Sequence, residues 1–183
     1  MPTYIVFGAA KLGIGQAIFR RLCNDGANVI GTYAEDQSDA AAELKREFPD
    51  VNLQLIDHSS VSSLTAFAES LPAQIDGAVI AHMYFDIRDA FDFTPAEWNM
   101  SLAVNITLPH FAALKIGPKI TSGGSLVTVT STEGFVGSFG AAGYAASKAA
   151  VHNLIKTHAN ILGPINVRVN AIAAGWIGGV MDT

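Results

Sequence analysis

Short runs of Val, Ile and Leu alternate along this chain with longer stretches in which apolar residues return every three or four positions. The first period belongs to strands and the second to helices, and their regular alternation predicts repeated β-α-β units. Strands are predicted near 3–8, 28–33, 52–56, 75–81, 124–131 and 165–172, and helices over 14–25, 38–48, 60–70, 95–115 and 141–162. The strand runs are apolar throughout rather than at every second position, which suits a parallel sheet covered on both faces. Local punctuation agrees. Asp25-Gly26 ends the first helix, Ser59 or Ser60 can cap the third, and Thr94-Pro95-Ala96-Glu97 supplies a cap, a first-turn proline and a carboxylate against the helix dipole. With no linker, low-complexity segment or repeat, residues 1–183 are predicted to form one doubly wound α/β domain.

Composition narrows the classes open to such a fold. Half the residues are hydrophobic and 15% are charged, enough apolar surface to build a large core and too little charge for a disordered chain. The net charge of −5 and pI near 5.4 leave no basic stripe, so nucleic acid is not an expected partner. No apolar run approaches membrane-spanning length, and the N-terminus reaches Gly8 too soon for a secretory signal. The single cysteine, Cys23, has no disulfide partner and falls within an apolar helix, so a reducing cytoplasm is expected.

Candidate chemistry concentrates late in the chain. In Gly143-Tyr144-Ala145-Ala146-Ser147-Lys148 a tyrosine and a lysine four apart share one helix face. A free phenol, with a pKa of about 10, is a poor acid or base at neutral pH, but a nearby ammonium favours the phenolate. Ser131 ends an apolar strand thirteen residues before Tyr144, and Asn105 lies in an earlier helix. Between the first strand and first helix runs a glycine-rich turn, Gly8-Ala9-Ala10-Lys11-Leu12-Gly13-Ile14-Gly15. Such a turn lets backbone N–H groups approach a pyrophosphate at a helix N-terminus, and ligands of parallel sheets lie beyond the carboxyl ends of the strands.

These features, in this order, resemble the short-chain dehydrogenase/reductase family from Tyr4 to about Met181. The resemblance implies a Rossmann fold with strand order 3-2-1-4-5-6, a nicotinamide dinucleotide, a small carbonyl or secondary-alcohol substrate, and a homodimer or homotetramer. It implies that Tyr144 donates a proton, that Ser131 holds the carbonyl oxygen, that Lys148 lowers the tyrosine pKa and grips the ribose, and that Asn105 completes a proton path. Cofactor contacts are implied for Gly8, Ala9, Lys11, Gly13, Ile14, Gly15, Tyr33, Asp57, Ala81, Lys148 and Gly175. Lys11 would pair with a 2′-phosphate and favour NADP; Glu35-Asp36, just after the ribose position Tyr33, would favour NAD or stand as a solvated loop.

The chain departs from the family pattern at three places. Ala9 occupies the first glycine position, so the turn is expected to re-form around Gly8. Ile80-Ala81-His82-Met83 replaces Asn-Asn-Ala-Gly, with His82 expected as a packed or capping residue and no metal cluster nearby. The sequence also ends at Asp182-Thr183, where family members continue with a helical segment, a further helix and a last strand; either it is naturally short or a tail is missing. Phe85, Phe135, Val136, Phe139 and Trp176 are the expected apolar walls. The alanine-rich run 141–150, with Ala145 and Ala149 facing outward, is the expected subunit contact. A nucleotide-binding protein without appreciable catalysis is the alternative reading.

Overall fold

The computed structural model describes residues 1–89 and 91–177; the end of the sequence, including Met181 and Asp182-Thr183, lies outside the described residues. Six strands, β1 (Thr3–Phe7), β2 (Asn28–Tyr33), β3 (Asn52–Leu55), β4 (Ile75–Ile80), β5 (Ile120–Ser131) and β6 (Arg168–Ala174), form one parallel sheet in the order β3-β2-β1-β4-β5-β6. The helices are α1 (Ile14–Asn24), α2 (Ser38–Glu47), α3 (Val61–Ser70), α4 (Pro95–Leu102), α5 (Leu108–Ile116), the short α6 (Glu133–Val136) and α7 (Ala142–Leu162). This is the expected doubly wound architecture.

Strand periodicity divides the core in two. In β1, Ile5 and Phe7 point to one face and join Leu64, Phe67, Leu108, Ile116 and Leu126, while Val6 points to the other and joins Phe19, Val29, Leu44 and Leu53. The first cluster is built with α3 and α5, the second with α1 and α2. Both faces are thereby covered, as strands without polar alternation require.

Three departures from the sequence-based elements have local causes. β5 starts at Ile120 because the register slips from Ile75↔Ile120 to Gly77↔Ser125, with Gly123 at φ +89° absorbing the extra chain. β6 starts at Arg168 because Gly163–Ile165 form a 3₁₀ turn and Asn166, at φ +60°, closes it. The single helix expected over 95–115 is broken by a π-helical turn at Ala103–Thr107. Pro109 has no N–H to offer the carbonyl four residues back, that of Asn105, and widening the helix there accommodates the loss. The caps hold as expected: Ser60 accepts from the Ser63 N–H, and Thr94 and Glu97 close a reciprocal capping box at α4. On α7, Ala149 is exposed but Ala145 is buried, so only the former faces outward.

The sheet order reverses between β1 and β4, which lie side by side although two strands separate them in the chain. The segments leaving their carboxyl ends are pushed to opposite faces there, opening a crevice above the sheet. The glycine turn after β1, the segment after β4, Ser131 at the end of β5 and Gly175 after β6 all meet at that crevice.

Candidate active site

The glycine turn owes its shape to Gly8 rather than Ala9. Gly8 has φ +76°, and a side chain there would lie 2.8 Å from the His82 backbone. Ala9 escapes the left-handed region, donates its N–H to the Thr32 carbonyl at 2.8 Å and is fully buried in the α1/α2 cluster. Gly31 leaves the space its methyl needs. At Gly15 an added Cβ would come within 2.2 Å of the Gly8 carbonyl oxygen, so helix and strand can approach only with glycine there. The first turn of α1 has no side-chain cap and no acidic residue, which leaves its N–H groups free to meet an anion.

Two adjoining clefts open above this turn. The first is lined by Lys11, Gly13, Ile14, Gly15, Ala81, Met83, Val129, Ser131, Tyr144, Lys148 and Gly175. The second is lined by Gly8, Lys11, Ala34, Asp36, Asp57, His58, His82, Met83 and Tyr84. Lys11 and Met83 border both. Lys11 donates to the Met83 carbonyl at 3.4 Å, and burial lowers its pKa while Asp36 opposes the change. Asp57 turns its carboxylate onto the Ser59 N–H at 2.8 Å and the Ser59 hydroxyl at 2.6 Å, bonds that hold its pKa below the ordinary value. It therefore lies at the cleft margin in a local turn. Tyr33 borders neither cleft; its ring packs against the α1/α2 cluster with the Lys45 ammonium 6.0 Å from its centroid.

Beneath the second cleft two histidine rings stack, His58 on His82, with centroids 4.8 Å apart and planes 14° from parallel. Thr32 ties this pair to the glycine turn: its hydroxyl oxygen accepts from the Gly8 N–H at 3.3 Å and lies 3.0 Å from His58 Nε2. His82 Nε2 is 3.0 Å from the Val104 carbonyl, an acceptor, which assigns the proton to Nε2 and leaves Nδ1 a buried lone pair without a partner among the described residues. Burial pushes His58 down to about 4 and His82 well below its ordinary value. His82 is thus packed, as expected. The residue missed from sequence was His58; its place directly after Asp57 was the available signal.

The catalytic candidates converge in part. Ser131, Tyr144 and Lys148 line one cleft, all three nearly buried. Tyr144 stacks edge-on against Phe85 at 4.8 Å, and its hydroxyl faces Met83 Sδ at 3.9 Å. The Lys148 ammonium lies 5.3 Å from the centre of the Tyr144 ring and donates to the Val129 carbonyl at 3.3 Å. Burial pushes Lys148 down to about 8, with Lys11 adding. The expected fall in the Tyr144 pKa is reversed: burial pushes it up, Glu133 adds, and only Ser131 opposes. The reason is placement, since the ammonium faces the ring rather than the phenolic oxygen. Asn105, 1% exposed, binds the Tyr84 backbone through its amide, accepting from the N–H and donating to the carbonyl, both at 2.8 Å. It clamps the segment after β4. Of the expected walls, Phe85 and Trp176 line a recess beside Tyr144; Phe135 stacks on His152 at 4.1 Å, and Val136 and Phe139 are exposed. Among the described residues no cluster of His, Cys, Asp and Glu is built to hold a metal, and no helix is long and apolar enough to cross a membrane.

Comparison with known proteins agrees with this geometry. The family model for enoyl-(acyl carrier protein) reductase matches residues 8–182. Dehydrogenase/reductase SDR family member 4 of Homo sapiens is 34% identical over 180 residues, covering 92% of this chain and 64% of that protein. The chain belongs to the short-chain dehydrogenase/reductase family. Another member, trans-4-hydroxycyclohexanecarboxylate dehydrogenase of Sinomonas cyclohexanicum, is 31% identical over 186 residues, 94% of this chain and 71% of that one. Among solved structures, BdcA in complex with NADPH superposes with a TM-score of 0.87 at 26% identity, covering 94% of this chain and 69% of that one. The chain thus spans roughly two thirds of the length of these relatives.

Proposed function

We propose that this short-chain dehydrogenase/reductase reduces a small carbonyl compound, or oxidises the matching secondary alcohol, with NADP in preference to NAD. The observation that carries the reading is the convergence of Ser131, Tyr144 and Lys148 on the cleft that the glycine turn opens. The uncapped, acid-free first turn of α1 and two lysines on the same cleft fit a dinucleotide pyrophosphate. Lys11, bordering both clefts beside Asp36, is the cation available to a 2′-phosphate, and the NADPH-bound relative supports that preference. When bound, the reduced nicotinamide supplies the hydride.

The remaining chemistry falls to the protein. Ser131 donates a hydrogen bond to the carbonyl oxygen, and Tyr144 delivers the proton that oxygen needs as its bond to carbon becomes single. A phenol pushed above its ordinary pKa keeps its proton across neutral pH, which suits an acid; alcohol oxidation needs that proton gone and gains as pH rises. Lys148 stabilises negative charge at the cleft. Asn105, through Tyr84, holds Met83 and Phe85 against Tyr144. The exposed small residues Ala142, Ala146 and Ala149 on α7 support assembly as a homodimer or homotetramer, and the lone Cys23 supports a reducing cytoplasm.

Tyr144→Phe tests the reading. Reductive turnover should fall by about 10²–10⁴-fold with NADPH affinity, followed by cofactor fluorescence, unchanged. Equal turnover in both proteins excludes the proposed acid. Binding without turnover in the wild-type protein would favour a nucleotide-binding role.

A further inference from the structure

Glu133 is given no substrate contact in the mechanism above, yet one of its polar atoms stands without a partner. Its Oε2 is buried and has no hydrogen-bond partner among the described residues. A carboxylate oxygen removed from water without a compensating donor is destabilising, and such an orphan in a folded protein calls for a ligand or a functional reason. The residue's position is well fixed: Glu133 opens α6 directly after β5, and its N–H donates to Ser131 Oγ at 3.2 Å. Glu133 borders the recess that Ser131 and Tyr144 share with Met83, Phe85 and Trp176. The recess therefore offers apolar walls and a site for a carbonyl oxygen, with Glu133 at its edge. No described ion pair includes Glu133.

We propose that Glu133 selects the substrate by accepting a hydrogen bond from a hydroxyl or ammonium group that the substrate carries beside its carbonyl. The substrate class is then a hydroxy- or amino-ketone with an apolar body. This rests on the reductase reading, and the two are separable by experiment. Propiophenone and 2-hydroxyacetophenone differ by a methyl in place of a hydroxyl and are close in size. With NADPH, the wild-type protein should prefer the hydroxyketone by about tenfold or more in kcat/KM, the worth of a hydrogen bond to a charged acceptor. In Glu133→Gln, which keeps the shape and one acceptor oxygen, the preference should shrink to about threefold or less. The loss should appear in KM for the hydroxyketone, with KM for propiophenone retained. No preference in the wild-type protein, or the same preference in the variant, overturns the proposal.

If neither ketone is turned over, the reductase reading fails and binding still judges Glu133. With NADPH present, 1-phenyl-1,2-ethanediol and 1-phenyl-1-propanol form dead-end complexes, read by quenching of Trp176 at the recess. A preference for the diol that Glu133→Gln abolishes supports the subsite. Equal affinities, or no binding of either alcohol, overturn it.

Discussion

Replacing His58 with phenylalanine would remove one titrating ring while leaving an aromatic face against His82. The wild-type ring is buried, stacked at 4.8 Å on its neighbour, and held down to about 4 from an ordinary 6.5. Between those values the unfolded chain binds a proton that the native protein refuses. Stability is therefore fully present above the unfolded value and falls as pH drops towards the folded one. At about 1.4 kcal/mol per pH unit of difference, His58 alone accounts for a loss of about 2 kcal/mol between pH 7 and pH 5, and about 3 kcal/mol by pH 4. His82, enclosed and also held below its ordinary value, adds a loss of the same sign. The variant gives up the 3.0 Å contact between Nε2 and Thr32, so at pH 7 it should be about 1 kcal/mol less stable than wild type. It should then lose less on acidification, and the two stability curves should cross between about pH 5 and pH 6. Urea unfolding followed by circular dichroism at pH 7, 6 and 5 measures this directly. Curves that run parallel through that range would refute the assignment of a buried, neutral His58.

Gly15→Ala places a methyl 2.2 Å from the Gly8 carbonyl oxygen and must displace the turn; stability should fall by about 1–3 kcal/mol and NADPH affinity by at least about tenfold, by thermal melting and titration. Unaltered affinity would show that the turn does not hold the cofactor. Lys11→Ala should weaken NADPH by about 1.5–3 kcal/mol and leave NADH nearly untouched if its ammonium meets a 2′-phosphate; equal losses would place it on the shared pyrophosphate. Ala149→Glu adds a charge on the exposed face of α7 and, doubled across a two-fold axis, should convert an assembly to monomers by light scattering. An unmodified protein that is already monomeric at micromolar concentration contradicts that interface.

The sequence by itself determined the parallel sheet, most helix boundaries and the company of Gly13, Gly15, Ser131, Tyr144 and Lys148. Those signals are local: strand and helix periods, caps, and glycine where only glycine suits a left-handed turn, as at Gly8. Even the shift of the turn from Ala9 to Gly8 follows from which residue tolerates a positive φ. Where β5 and β6 begin was less legible, because a register slip at Gly123 and a left-handed Asn166 depend on the strand alongside. The tertiary structure alone decided how the functional side chains are used. Asn105 meets the backbone of Tyr84, Lys148 meets the carbonyl of Val129, and His58 meets His82, each partner brought from another element by the convergence of strand ends. Burial then set the electrostatics. The lysine four residues from Tyr144 suggests a lowered phenol pKa, but its ammonium lies over the ring, and the enclosing cleft withdraws the solvent that stabilises a phenolate, so the pKa rises. Spacing along a chain reports which groups can meet, whereas the dielectric around them is a property of everything packed nearby, and only the folded protein sets it.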